Sequence, residues 1–238
     1  MTKLKGLRQT MEVLRPPLPG RLPMEFSGGD EFVVLLHGLW RSEAAMAPLA
    51  RRLSQEKFHV LNIPYPSFRA SLEPLLESLE SRILKSAQGR PVHFVTHSLG
   101  GVIARHLLER DSFSEFSRLL MLAPPNQGSA IIDYLQQSPL IRVLGPMGES
   151  LHPDRVLNSL PDCCPSNTET LVVAGTEAKI PFFKRQVGQN SDGIVSVAET
   201  KLAGAETRLL RVDHTLITAH PTVMQKAGPF LRGEGWAD

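Results

Sequence analysis

The stretch VHFVTHSLGGVIAR, residues 92–105, runs from a β-rich apolar segment straight into a helical pattern, with a serine at the junction. Ser98 there has two readings. As a helix N-cap, its hydroxyl would accept a hydrogen bond from the amide of residue 100 or 101. As a nucleophile, it would sit on a strand-to-helix turn so tight that the residues two before and two after it must be small. Gly100 and Gly101 follow it. A cap needs neither glycine, and each weakens a helix by about 1 kcal/mol. The pair implies close approach of backbone to backbone, which favours the nucleophile. Such a turn also aims the serine at a helix amino terminus, whose unpaired N–H groups can hold a developing oxyanion. Thr96 stands where the G-x-S-x-G pattern has its first glycine, so the match is to the second half of that pattern.

Around this junction, strand-like and helix-like segments alternate. EFVVLL (31–36) is continuously apolar, as a buried central strand is. MAPLARRLSQ places Met46, Leu49, Ala50 and Leu53 at helical spacing, with Pro48 in the first turn. HVLNI (59–63) reads as a strand. Ser71 reads as the cap of a helix carrying Leu72, Leu75, Leu76, Leu79 and Ile83. PVHFVTH is a strand, 99–110 a helix, and SRLLMLA (117–123) a strand stopped by Pro124-Pro125. Single helices between strands imply right-handed crossovers and an α/β fold, a mainly parallel sheet covered by helices on both faces. From Pro124 to about residue 169 the alternation lapses, with weak helical patches at 129–136 and 154–160. It resumes with TLVVAG (170–175), TRLLRV (207–212) and a last helix over 221–227 that ends at Gly228-Pro229. One domain follows from this, with 124–169 as a small cap-like insertion and 1–30 as an amino-terminal extension.

Bulk properties narrow the function classes. The 238 residues are 42% hydrophobic and 21% charged, as in a globular protein with a sizeable core. The balance of 26 basic against 24 acidic residues, with no basic block, argues against nucleic acid as a partner. The basic start MTKLKGLR is a candidate for peripheral contact with an anionic membrane, against the alternative of a solvated tail. Cys163 and Cys164 are adjacent, a spacing that bridges only under strain, so no disulfide scaffold is expected. Without a secretion signal or a run of about 18 apolar residues, the expected location is the cytoplasm. His93 and His97 would lie about 13 Å apart on a strand, too far to hold one ion together. No other metal or phosphate-loop pattern appears, so no cofactor is expected.

LLHGLW (35–40) brings His37-Gly38 to the carboxyl end of the first long strand, where open α/β sheets bind ligands. Glycine there would let the amide of Leu39 turn towards Ser98. With the amide of Leu99 it would make a two-donor oxyanion hole, in which one donor is typically worth about 3 kcal/mol.

The segments VVLLHGLWRS, VHFVTHSLGGVIAR, MLAPPNQGS, NSDGIVSV and VDHTLI together resemble a small bacterial α/β-hydrolase of the lipase/esterase type, in that family's order and over most of the chain. The resemblance implies the α/β-hydrolase fold, ester hydrolysis, and a catalytic triad met in the order Ser, Asp or Glu, His. His214, directly after TRLLRV, is the expected base, with His106, His152 and His220 as weaker candidates. Asp192 is the expected acid, with Glu177 its rival; Asp213, adjacent to His214, is a poor partner because neighbouring side chains diverge. Trp40, Ile131, Leu135 and Leu144 are the candidates for substrate binding, against the alternative that the cap residues simply pack on the sheet. A thioester, an acyl transfer or a phospholipid or lysophospholipid would suit the same triad. A non-catalytic binding protein of this fold is the reading from another class. The modest cap favours short or medium acyl chains.

Overall fold

The computed structural model describes residues 23–136, 141–179 and 184–236; the basic amino terminus lies outside these. Among the described residues, seven strands form one sheet: β1 (Met24–Phe26), β2 (Phe32–Leu36), β3 (His59–Asn62), β4 (Val92–His97), β5 (Ser117–Leu122), β6 (Thr168–Gly175) and β7 (Glu206–Leu210). Their order is β1-β3-β2-β4-β5-β6-β7, parallel throughout except for β1, which runs antiparallel to β3. The crossovers carry α1 (Ala47–Gln55), α2 (Leu72–Ala87) and α3 (Leu99–Leu108). Between β5 and β6 lie α4 (Ala130–Gln136), α5 (Ile141–Glu149) and α6 (Pro153–Ser159). The short turns α7 (Lys184–Val187) and α8 (Val197–Thr200) precede β7, and α9 (Pro221–Leu231) ends the fold.

Period-two alternation along fully buried strands divides the core into two layers. On one face Val34, Leu36, Phe94, Leu119 and Met121 meet the helical stripe Leu75, Leu79 and Ile83 of α2 and Val102, Ile103 and Leu107 of α3. On the other, Val33, Leu35, Val95, Leu120 and Leu122 meet Leu49 and Leu53 of α1 and Val223, Phe230 and Leu231 of α9. Truncating any of these large side chains to alanine costs about 2–5 kcal/mol.

Three local expectations change. The last helix does not stop at Gly228-Pro229 but continues to Leu231. An interior proline costs about 3 kcal/mol. Burial of Phe230 and Leu231, at 3% and 0% exposure, returns about 1.5–3 kcal/mol each. Ser71 precedes α2 in an extended conformation but makes no side-chain capping bond. The third change is α5, absent from the sequence reading because Gly145-Pro146 interrupts it. Gly145 sits at φ 64°, and a Cβ there would stand 1.8 Å from the Phe68 carbonyl oxygen, so only glycine fits this kink.

Candidate active site

β4 leads into α3 through Ser98, whose backbone stands at φ 53°, ψ −123°. A non-glycine residue held there carries about 1–3 kcal/mol of strain, which neighbouring bonds must offset. Ser98 N–H donates to Leu122 O at 2.9 Å, and Gly101 N–H donates to Ser98 O at 2.9 Å. The serine side chain makes no capping bond, so its hydroxyl is not engaged as an N-cap. Both glycines have a steric reason. A Cβ on Gly100 would lie 2.4 Å from Leu36 O, and one on Gly101 would lie 2.7 Å from Met121 Cε and 3.0 Å from Pro124 Cβ. Thr96 is fully buried and its hydroxyl faces Leu120 O at 3.4 Å.

The exit of β2 presses on this turn. A Cβ on Gly38 would stand 3.1 Å from Ser98 Cβ and 3.0 Å from His97 Nδ1. Leu39 and Leu99, whose amides were expected to face a common oxyanion, therefore flank the serine on two converging backbones. Leu99 is the first residue of α3, where helix amides have no acceptor within the helix. At the exit of β2, His37 is fully buried: its Nδ1–H donates to Gly38 O at 3.0 Å, its Nε2 accepts from Tyr65 N–H at 3.4 Å, and its ring stacks on Tyr65 at 4.0 Å. Burial lowers its pKa to about 4, so the imidazole is neutral at pH 7.

Two loops at the same edge of the sheet bring Asp192 and His214 together. His214 Nδ1–H donates to Asp192 Oδ2 at 2.7 Å, and His214 N–H to Asp192 O at 3.2 Å. The other carboxylate oxygen, Oδ1, accepts from Ile194 N–H at 2.9 Å and Val195 N–H at 2.8 Å. Both side chains are nearly buried, with residue exposures of 3% and 8%. An Nδ1 that donates leaves Nε2 as the basic nitrogen. Asp213 turns the other way, accepting from Thr215 N–H and Leu216 N–H at 2.9 Å each. Glu177 is exposed, unlike Asp192. His152 and His220 cap α6 and α9. His106 lies on α3, where burial first, then the charge of Arg105, lowers its pKa to about 4.

A model of the alpha/beta hydrolase family matches residues 33–223. The chain belongs to the alpha/beta hydrolase family. Among solved structures, this hydrolase is similar to the lipase BlEst2 of Bacillus licheniformis in its mature form, at 20% identity and TM-score 0.66, over 90% of this chain and 96% of that one. The metagenomic carboxyl esterase MGS0156 aligns at 14% identity and TM-score 0.63, over 91% of this chain and 80% of that one. Phospholipase PlaB of Legionella pneumophila aligns at 17% identity and TM-score 0.60, over 84% of this chain but 57% of that one. At such identities the likeness is one of fold. No match was found among curated proteins.

The hydrolase places its expected substrate-binding residues in different settings. Trp40, in the segment that follows β2, stands at φ 59°, 39% exposed, its ring stacked on Phe68 at 5.0 Å. Ile131 and Leu135 are buried with Val187 in a small cluster of their own, and Leu144 is packed partly buried against it and the main core. Two site residues were not singled out from sequence. His97 donates through Nε2–H to His214 O at 2.8 Å, and Gly175, at the end of β6, makes room for Asp192. The first was legible only as half of an excluded metal pair, the second only as the end of a strand. Among the described residues no three His, Cys, Asp or Glu side chains gather into a metal-holding group, and no helix is long and apolar enough to cross a membrane.

Proposed function

We propose that this hydrolase cleaves carboxylic esters through Ser98, His214 and Asp192. The observation that carries the reading is the buried Asp192–His214 pair, hydrogen-bonded at 2.7 Å, on a loop held by the residue next to a serine in a strained strand-to-helix turn. His214 Nε2 takes the Ser98 proton as Oγ attacks the ester carbonyl, while the amides of Leu39 and Leu99 receive the oxyanion. The imidazolium, stabilised by Asp192, then protonates the departing alcohol. Water attacks the acyl-enzyme with His214 again as base, releasing the acid and free Ser98. No metal or organic cofactor takes part, and the partner is a small-molecule or lipid ester of short or medium acyl chain, met in the cytoplasm.

The test is hydrolysis of nitrophenyl esters from acetate to palmitate by wild type and Ser98→Ala. The expected result is turnover that peaks at a short or medium chain and falls about 10⁴-fold or more in the variant. Equal rates in both proteins would remove Ser98 from the chemistry. Silence of the wild type on nitrophenyl esters, with turnover of an acyl thioester or a lysophospholipid, would move the substrate class and keep the triad.

A further inference from the structure

The Asp192–His214 pair and Ser98 are carried by different parts of the chain, and a base is useful only if its Nε2 stays over the serine oxygen. His97 joins the two halves. It is the last residue of β4, directly before Ser98, and its Nε2–H donates to the backbone carbonyl of His214 at 2.8 Å. The two rings also pack at 4.8 Å, tilted by 47°. His214 is thereby gripped at three atoms: N–H and Nδ1 by Asp192, and carbonyl oxygen by His97.

An imidazole is a costly choice for this position if packing were all that mattered. His97 is 2% exposed, and its Nδ1 is buried without a hydrogen-bond partner, turned towards Gly38. A buried, unpaired polar atom costs about 1–3 kcal/mol, which phenylalanine or leucine would avoid. What the histidine supplies and they cannot is the Nε2–H donor. Its surroundings keep it in that form. Burial first, then the neighbouring His214, Arg41 and His37, hold its pKa well below the usual histidine value, while the bond to His214 O opposes the shift. Arg41, in the segment that follows β2, adds a second tie to the loop carrying His214 by donating to Thr215 Oγ1 at 2.7 Å, with Asp213 facing its charge.

We infer that His97 is a positioning residue of the reaction: as a neutral Nε2–H donor to the His214 carbonyl, it sets the base over the nucleophile it precedes. The inference rests on the proposed ester hydrolysis. Glutamine carries its amide nitrogen as many bonds from Cβ as histidine carries Nε2, so it can replace the donor. Asparagine is too short to reach, and phenylalanine keeps the ring and removes the donor.

The experiment compares wild type, His97→Gln, His97→Asn and His97→Phe in steady-state hydrolysis of a nitrophenyl ester, in labelling rate by a fluorophosphonate, and in melting temperature. The expected result is a kcat lower by about 10- to 100-fold in His97→Asn and His97→Phe, since a misplacement of about 1 Å costs of that order. Their KM stays close to wild type, labelling slows in proportion to kcat, and His97→Gln recovers most of the loss. Wild-type kcat in His97→Phe would overturn the inference. So would equal losses in all three variants that track their melting temperatures, since the side chain would then serve packing alone. A wild type that neither turns over esters nor takes the fluorophosphonate would strike the ester-hydrolase reading itself, and the role of His97 with it.

Discussion

Asp192 lies against Gly175: a Cβ on Gly175 would stand 2.7 Å from Asp192 Cβ and 2.6 Å from Val212 O. The end of β6 therefore fixes how deeply the carboxylate can sit behind His214. Gly175→Ala must push either Asp192 or the segment that leads from β7 to His214. The expected outcome is a fall in kcat/KM of about 100-fold, with a loss of stability of about 1–3 kcal/mol from overpacking. Ester kinetics and urea unfolding of the variant check both.

Asp192→Asn separates proton chemistry from folding. The amide oxygen can still accept from Ile194 N–H and Val195 N–H, so the loop keeps its shape. The amide nitrogen then faces His214 Nδ1 and forces the wrong tautomer, with the proton on Nε2. Turnover drops by about 10⁴-fold while the melting temperature stays near that of wild type; ester kinetics beside calorimetry read the two effects separately.

Thr96 and Gly101 share the space under the turn that carries Ser98. A Cβ on Gly101 would stand 3.4 Å from Thr96 Oγ1, beside its closer encounters with Met121 and Pro124. Gly101→Ala should destabilise by about 1–3 kcal/mol in urea unfolding. In a Thr96→Gly background the cost should shrink only slightly, because the Met121 and Pro124 contacts remain; a double-mutant cycle measures the coupling.

Acid weakens the fold through its buried histidines. His37 is held to about 4 by burial, against about 6.5 in an unfolded chain. Between those values the unfolded state binds more protons than the native one. Stability from this group is thus complete above about pH 6.5 and is lost as pH falls towards 4, by about 3 kcal/mol in all. His93 and His106, also lowered to about 4 mainly by burial, act in the same direction. Melting temperature followed from pH 7 to pH 4 should fall steadily, and the slope should flatten in His37→Asn.

The parallel strands and amphipathic helices were legible because two-faced burial writes itself into the sequence as continuous apolar runs and helical stripes. The tight turn at Ser98 was legible because Gly100 and Gly101 have no purpose in an ordinary helix start. The pairing of Asp192 with His214 was expected from the order of segments that the resemblance supplied, and the hydrogen bond between them agrees with that order. What escaped notice depends on contacts distant along the chain. β1 is three residues long and exists through its pairing with β3. α5 depends on a kink shaped by the Phe68 carbonyl, and the last turn of α9 on burial of Phe230 and Leu231. His97 reads as one more strand residue until a loop 117 positions away folds over it.

That separation also orders events during synthesis. Beyond β4 the sheet grows at one edge in chain order, β5, β6 and then β7, so strands can be added as the ribosome delivers them. The turn bearing Ser98 is available early, while His214 emerges 117 residues after His97, roughly 6–23 s later at ordinary elongation rates. If Ser98, His214 and Asp192 act as proposed, the nascent chain carries its serine without a base through that interval, and reactivity waits for the segment bearing His214 to fold.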